Sequence, residues 1–442
     1  MYKNIPKSPS AVKAVSSGFI QSFSTLAKAI DSAKFSRLAN MLSKSLLLAG
    51  YGLSSLAFPF PFPHAKRALY ISDNDGTDNH VIAASLSTET GLLSDSVMYS
   101  TGGKGLYGTM SQDAVVVEDE YLFVTNAGDN TLSVFKIDPL NPTHLRLLGK
   151  PAATNGHTPQ TVAYSSAHNM ACVANAGDKA GVQCYNVDPF RGLTALPFYL
   201  DIPQTQNFDP TQGPPGTLSI VGDIRFNPSA THLYAVVRSN GGRPGLLYAW
   251  PVSRFGQHIS QTPTNSTLPE LPFAFSLNFL GSDSKLFITT PHGDSPGSAI
   301  IDLSSSGAVQ KTTTVNIAGQ EAACWASYDP SRNRVFVIDS SIPTITLVDA
   351  NTEKATQQFN FSTPALGGLD NRIDRDMFYL LTDPFDPIAG KIIAPPQVLV
   401  YNISGSQTPK QVQSYDILKV EGGNGTWPGE MGLAIYPAPK YT

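Results

Sequence analysis

The chain has 442 residues, only 14% of them charged, and a formal net charge of −4. No long basic run interrupts its body, so nucleic-acid binding has no electrostatic footprint. The body also lacks an apolar run of 18 or more residues, which argues against a membrane span in the mature protein. Thirty-six glycines and 34 prolines favour many short strands joined by tight turns over a helical bundle,.

The N-terminal region reads as a targeting segment. Residues 1–40 are rich in Lys, Ser and Ala, with Asp31 as their single acid. A positive flank at 41–44, an apolar run at 46–57 and a small-x-small end then predict a signal peptide over 41–57,. We interpret Met41 as the working start and 1–40 as an extended gene-model N-terminus or leader. The alternative is an organellar transit peptide.

A Pro-rich pro-segment, 58–67, follows the signal and ends in the dibasic pair Lys66-Arg67, which is either a processing site or an ordinary linker. Residues 68–442 form the predicted folded domain. Within it, four Asn-x-Ser/Thr sequons agree with secretion to the extracellular space. They begin at Asn265, Asn360, Asn402 and Asn424.

The cysteines also suit an oxidising compartment. Cys172 and Cys184 lie symmetrically about Asp178. If this stretch is a hairpin, the two thiols face each other closely enough to form a disulfide. Cys324 remains, either as a buried free thiol or as a nucleophile.

A short β-rich core recurs about every 50 residues, which is the period of propeller blades of several strands each. An apolar inner strand precedes each core, as at Ala114–Val117, Thr161–Tyr164 and Asp223–Phe226. The seven cores are Leu69–Ser72, Leu122–Thr125, Cys172–Asn175, Leu233–Val236, Leu286–Thr289, Val335–Ile338 and Phe378–Leu381.

The chain's last strand, Met431–Tyr436, resembles an inner strand but follows the seventh core. We expect it to pair into the first blade and so protect an exposed edge. The prediction is an all-β, seven-bladed propeller of four-stranded antiparallel blades closed by a C-terminal strand. An eighth blade would need an unrecognised repeat between 172 and 233.

The phrases Leu122–Phe135 and Cys172–Asp178 resemble the YVTN repeat of lactonase-like propellers. The stretch Glu321–Pro330 and the strand at 334–340 are similar to the secreted fungal, 3-carboxymuconate cyclase-like branch of the carboxymuconate-lactonizing enzyme and 6-phosphogluconolactonase group. The resemblance implies a propeller with a His, Arg and Glu cluster at the channel mouth and no required metal or cofactor. His157, Arg225 and Glu321 occupy comparable positions before or within inner strands, and become the catalytic candidates.

Ring-opening or ring-closing chemistry needs a general acid/base near neutrality and a cation for a carboxylate or enolate. His157 supplies the first, and Arg225, Arg238 or Arg372 the second. Glu430 is a further acid/base candidate and Trp325 a stacking surface for substrate. The bland alternatives are that His157 bonds a loop carbonyl, that Arg225 pairs with Asp223 and that Trp325 is core. The turn Asp73–Asn79 lacks the closing acid of a calcium loop and reads as a hairpin turn,.

Two functions remain open. One is a secreted, metal-independent lactonase or cycloisomerase acting on a small-molecule lactone or carboxylate, for which His157, Arg225 and Glu321 should converge. The other is a non-catalytic secreted glycoprotein whose propeller face binds an extracellular protein or glycan, for which those residues should be apart or already paired, beside an exposed apolar patch. We expect a monomer in either case.

Overall fold

The computed structural model describes residues 66–203, 221–238, 244–253, 258–292, 294–362, 364–386, 391–405, 408–417 and 429–439. These residues form an all-β protein with no α-helix, in which seven four-stranded antiparallel units make a β-propeller. None of the described segments is a helix long and apolar enough to cross a membrane. The predicted leader, signal peptide, most of the pro-segment and Asn424 lie outside the described ranges.

The strands follow the chain from blade 1 to blade 7. Blade 1 contains β1 (Arg67–Ser72), β2 (His80–Leu86) and β3 (Leu93–Ser100). Blade 2 contains β4 (Val115–Glu118), β5 (Tyr121–Asn126), β6 (Thr131–Asp138), β7 (Asn141–Leu147) and the short β8 (Ala152–Ala153). Blade 3 contains β9 (Pro159–Ser165), β10 (Met170–Asn175), β11 (Gly181–Asp188) and β12 (Gly192–Asp201). Blades 4 and 5 contain β13 (Val221–Phe226), β14 (His232–Val237), β15 (Gly245–Pro251), β16 (Thr264–Leu268); and β17 (Leu277–Phe279), β18 (Lys285–Thr289), β19 (Gly297–Leu303), β20 (Val309–Asn316). Blade 6 contains β21 (Ala323–Asp329), β22 (Arg334–Asp339), β23 (Thr344–Asp349) and β24 (Lys354–Asn360). Blade 7 contains β25 (Gly367–Asp374), β26 (Met377–Asp383), β29 (Gln397–Asn402) and β30 (Lys410–Asp416), and a small hairpin of β27 (Phe385–Asp386) and β28 (Lys391–Ile392) lies between β26 and β29 in the chain. The chain's last strand is β31 (Met431–Tyr436).

The repeat predicted from the sequence is confirmed. All seven β-rich cores fall in the second strand of a blade, and the apolar stretches before them form inner strands. Second strands are almost wholly buried because alternate side chains face the two neighbouring blades,. Between blades 6 and 7, for example, the Phe336 and Phe378 rings stack with centroids 4.9 Å apart.

The ring closes as predicted, because β31 is the inner strand of blade 1 and pairs antiparallel with β1. Gly432, with φ at 69°, brings this strand against blade 2. A Cβ at Gly432 would lie 2.7 Å from the Val115 nitrogen, so only glycine allows this close approach,. The last strand therefore joins the N-terminal and C-terminal parts of the domain.

A loop fills the centre of the ring. Residues 109–113 lead from blade 1 to blade 2, yet they bond to inner strands elsewhere. The Ser111 hydroxyl donates to the backbone carbonyl of Gln160 in blade 3 at 2.6 Å, and the backbone amide of Gln112 donates to the Gly222 carbonyl in blade 4 at 3.3 Å. The Trp325 indole of blade 6 donates to the Ser111 carbonyl at 2.9 Å. This segment, called the channel loop below, connects blades 1 and 2 and also bonds to blades 3, 4 and 6.

Candidate active site at the channel mouth

The face on which inner strands begin is called the upper face here. Inner and second strands are antiparallel, so the start of one lies beside the end of the other. Pro159 pairs with Asn175 in blade 3, and Ala323 with Asp339 in blade 6. The turns between second and third strands therefore share this face with the loops before the inner strands. Short polar turns and the inner-strand entries therefore lie on the same face.

His157 lies on the upper face in the loop before β9. Its Nδ1 makes a short hydrogen bond to the Asp178 carboxylate in the turn between β10 and β11. The backbone fixes the pair, since the His157 amide donates to the Lys179 carbonyl at 3.2 Å and the Gly177 amide to the His157 carbonyl at 2.9 Å. The imidazole is half exposed, and its Nε2 has no partner within the described ranges. The pKa of Asp178 is lowered, chiefly by the hydrogen bond from His157.

The chemistry of this dyad follows from its geometry. A carboxylate that accepts a hydrogen bond from Nδ1–H fixes the tautomer and leaves the Nε2 lone pair as the proton acceptor. His157 therefore does more than bond a loop carbonyl. His157 can be chosen from the sequence alone, whereas nothing in the sequence identifies Asp178, at the centre of the Cys172–Cys184 hairpin, as its partner.

Arg225 and Arg372 converge on one buried residue, Asp113. Both guanidinium groups bind the buried carboxylate of Asp113 in the channel loop, Arg225 through a short contact and Arg372 at 2.5 Å. Burial alone would raise the pKa of Asp113, but the charges of the two arginines outweigh it and lower this pKa. The alternative interpretation gave Asp223 as the partner of Arg225; the charge of Arg225 acts to lower the pKa of Asp223, but the guanidinium forms its ion pair with Asp113.

Two further buried carboxylates, those of Asp223 and Asp370, accept hydrogen bonds from neighbouring blades. Asp223 accepts the Thr161 hydroxyl of blade 3 at 3.0 Å and the Leu277 amide of blade 5 at 2.8 Å. Asp370 accepts Arg372 at 2.6 Å and the Leu433 amide of β31 at 2.8 Å. Burial raises the pKa of Asp370 to about 6, the charge of Arg372 lowers it and that of Asp113 raises it. Burial and the charge of Asp113 also raise the pKa of Asp223.

Arg238 is the candidate cation on the upper face, because it follows β14. Its guanidinium lies 4.9 Å from the centre of the Phe275 ring and donates to the Met110 carbonyl of the channel loop at 2.9 Å. Burial lowers the pKa of Arg238 to about 10, which leaves the group protonated at neutral pH. Cys324, in the neighbouring inner strand of blade 6, is free and buried. Burial raises the pKa of this thiol to about 12, so it does not act as a thiolate nucleophile at neutral pH,.

The remaining candidates divide into exposed and buried groups. Glu321 is exposed, and its backbone amide donates to the Asp339 carboxylate at 2.8 Å. Within the described residues, Glu321 makes no hydrogen bond or ion pair with His157, so the expected convergence of the three catalytic candidates is not observed. Trp325 is fully buried and belongs to the core rather than to a substrate surface. Glu430 is buried immediately before β31.

Cys172 and Cys184 pair directly across the β10–β11 hairpin and are joined by a disulfide. Asn265, Asn360 and Asn402 have exposed side chains on blades 4, 6 and 7. The described residues contain no group of three or more His, Cys, Asp or Glu side chains able to hold a metal ion. The Asp73–Asn79 stretch is the turn between β1 and β2, as predicted.

Comparison with known proteins agrees with this architecture. A family model described as "Lactonase, 7-bladed beta-propeller" matches residues 61–208, less than half of the chain. No curated protein matches the chain by sequence. The protein is a seven-bladed β-propeller, and the sequence of residues 61–208 resembles that of lactonases with this fold.

Solved structures extend the likeness to nearly the whole domain. The periplasmic gluconolactonase of Pseudomonas aeruginosa has a TM-score of 0.61 at 13% identity, over 85% of this chain and 100% of that one. A putative 6-phosphogluconolactonase from Bacteroides fragilis has a TM-score of 0.59 at 11% identity, over 85% and 99%. A protein from Lactobacillus plantarum has a TM-score of 0.60 at 14% identity, over 84% and 99%. At these identities the likeness concerns the fold alone.

Proposed function

We propose that the protein opens or closes a lactone-type ring on a small carboxylate-bearing molecule at the upper face, with His157 as the general base. The His157–Asp178 dyad carries the proposal, because it combines an oriented, half-exposed imidazole with an Nε2 that has no partner among the described residues. The match to the lactonase family model covers residues 61–208 and therefore includes both members of the dyad. No metal is needed for this chemistry.

In the ring-opening direction, Nε2 takes a proton from a water molecule as its oxygen attacks the lactone carbonyl carbon. The ring C–O bond then breaks, and the proton passes from His157 to the departing alkoxide oxygen. In the closing of an unsaturated diacid, a carboxylate oxygen adds to the alkene and His157 delivers a proton to the neighbouring carbon. Both directions develop or retain negative charge on oxygen, which a cation such as Arg238 stabilises.

The test is turnover of a panel of lactones and muconate-type diacids by the purified protein. His157→Ala should lower kcat by about 10²-fold or more, since it removes the base. Asp178→Asn should also lower kcat, because the amide can stabilise the wrong imidazole tautomer. His144→Ala is the matched control: His144 is exposed and lies 4.0 Å from Asp138 on the opposite face of blade 2. Turnover that survives His157→Ala, or none across the panel, would contradict the proposal.

A second candidate function rests on two exposed apolar side chains. Leu140 and Phe190 are 76% and 82% exposed in the corresponding turns of blades 2 and 3. An Asp-Pro pair holds each turn: Asp138 accepts the Leu140 amide at 2.9 Å, and Asp188 accepts the Phe190 amide at 2.8 Å. Rigidly presented apolar groups suit recognition of an extracellular protein or glycan. Retention of a secreted partner by the wild type but not by a Leu140→Ser/Phe190→Ser variant, without turnover, would favour this function.

Secretion and N-glycosylation complete the proposal. Their support is the apolar segment at 46–57, the disulfide and the exposure of three sequon asparagines. Expression in a secreting host should yield a chain that starts after residue 57 and loses mass on glycosidase treatment. N-terminal sequencing would also show whether Lys66-Arg67 is cut, since Arg67 begins β1 and pairs with Asp374 in the folded chain. An unprocessed, unglycosylated intracellular chain would contradict secretion.

A further inference from the structure

Glu430 is a buried carboxyl group at the point where the ring closes. Its side chain is 3% exposed, and one of its oxygens, Oε2, has no hydrogen-bond partner in the described part of the chain. Met431, the next residue, pairs with Ser72 of β1, beside a register shift between Ile71 and Ser72. The unpartnered acid therefore adjoins the first and least regular pair of the closing strand.

The group facing Glu430 makes ionisation unfavourable. Asp73 follows Ser72 and, among the described residues, is the titratable neighbour whose charge acts on Glu430. Asp73 is itself held in place, because its carboxylate contacts His80 Nδ1 at 2.8 Å and accepts the His80 amide at 2.7 Å. A second negative charge at Glu430 would be buried, unpaired and next to a carboxylate. Moving Glu430 into solvent relieves this cost but separates Met431 from Ser72.

We propose that Glu430 is a proton-dependent latch on the closing strand: its protonated carboxyl allows the start of β31 to seat against β1, and loss of the proton releases it. The device is independent of the proposed ring chemistry. It acts on the N-terminal end of β31. The strand's interior is held separately, by the Leu433 amide bonded to Asp370 at 2.8 Å.

The pH window follows from linkage. Burial, and then the charge of Asp73, raises the pKa of Glu430 to about 8 in the closed strand. An opened, hydrated Glu430 returns towards the ordinary value of about 4.3. Between these values the closed state binds more protons than the open state, so opening becomes more favourable as pH rises, by up to about tenfold per pH unit. Below the window the latch is closed, and above it no further change is expected.

Hydrogen exchange of the backbone amides tests the latch without any assay of activity. The exchange rates of the amides around Ser72 and Met431 are measured at each pH from 5 to 8 in the wild type and in Glu430→Gln. This variant keeps the shape of the side chain but cannot ionise. The wild-type rate divided by the Glu430→Gln rate should rise by up to about tenfold per unit, because intrinsic exchange cancels. Glu321→Gln is the matched control, since Glu321 also lies just before an inner strand but is exposed.

The two possible results are distinct. The latch is established if the wild-type exchange rate divided by the Glu430→Gln rate rises with pH, while the Glu321→Gln rate stays equal to the wild-type rate. A ratio that stays constant from pH 5 to pH 8 overturns it, whatever the outcome of the lactone panel. If Glu430→Gln does not fold, the wild type alone decides: exchange near Met431 that changes with pH only as exposed amides do would also overturn the latch.

Discussion

Asp113 has a structural role that no local pattern reveals. Its carboxylate is shared by Arg225 and Arg372, which come from blades 4 and 7, so one buried anion links the channel loop to two other parts of the ring. Both arginine side chains are largely buried, with exposed fractions of 27% and 12%. Removing the anion would leave two cations close together without the carboxylate that they share, although Arg372 would keep its contact with Asp370. We therefore assign Arg225 and Arg372 to the stability of the ring rather than to substrate.

Asp113→Asn tests this assignment. Asparagine fits the shape and tolerates the positive φ of 58° at this position, so the change is mainly one of charge,. The free energy of unfolding should fall by roughly 3 kcal/mol, as expected when one partner of a buried ion pair is lost. Asp178→Asn, a change in an exposed ion pair, should alter it by less than about 1 kcal/mol. Equal stability of the two variants in urea titrations would show that Asp113 does not support the ring.

At the scale of elements, the β10–β11 hairpin unites the disulfide and the dyad. The disulfide joins residues 12 positions apart, and Asp178 lies at the turn between them. In the chain-entropy model a loop of this length contributes about 3 kcal/mol to stability. The disulfide thus stabilises the turn that presents Asp178 to His157.

Replacing both Cys172 and Cys184 with Ala should lower the free energy of unfolding by roughly 3 kcal/mol. Reductant should destabilise the wild type and leave the double variant unchanged, since Cys324 is free in both. Urea titrations with and without reductant measure both effects. If reductant had no effect on the wild type, the disulfide would not contribute to stability.

The sequence predicts elements better than it predicts the site, for a physical reason. Strands such as Leu122–Thr125 and Met431–Tyr436 are visible because their apolar residues satisfy the same burial requirement in every blade,. The Cys172–Cys184 pairing is local, and hairpin symmetry is enough to suggest it. Asp113 instead meets Arg225 and Arg372 across separations of 112 and 259 residues, which only the closed ring brings together. Likewise, nothing near Glu430 in the sequence identifies Asp73 as its neighbour.

For the whole molecule, several buried acids bind protons more tightly in the folded state than in the unfolded state. Burial raises the pKa of Glu430 to about 8, that of Asp370 to about 6, and also that of Glu118. A buried acid with a raised pKa binds its proton more tightly in the folded state, so its effect is to reduce stability as pH rises from about 4 towards that pKa. His80 acts in the same direction, since its hydrogen bond to Asp73 raises its pKa and the stabilisation is lost as pH rises through it.

Exposed acids determine how stability falls at low pH. The pKa values of Asp178, Asp188 and Asp349 are lowered, chiefly by hydrogen bonds to their carboxylates, so their contribution is lost only as pH falls below about 4,. Stability should therefore be greatest near pH 5 and should decline by pH 8.

Urea titrations at pH 5 and pH 8 measure this decline in the free energy of unfolding. Glu430→Gln should remove a large part of it, because almost complete burial raises the pKa of this carboxyl to about 8. Glu321→Gln, at an exposed carboxyl, should leave the decline intact. Greater stability at pH 8 than at pH 5 in the wild type would mean that the buried carboxyls ionise without cost. The ring would then have to hydrate them, although the structure leaves Glu430 only 3% exposed.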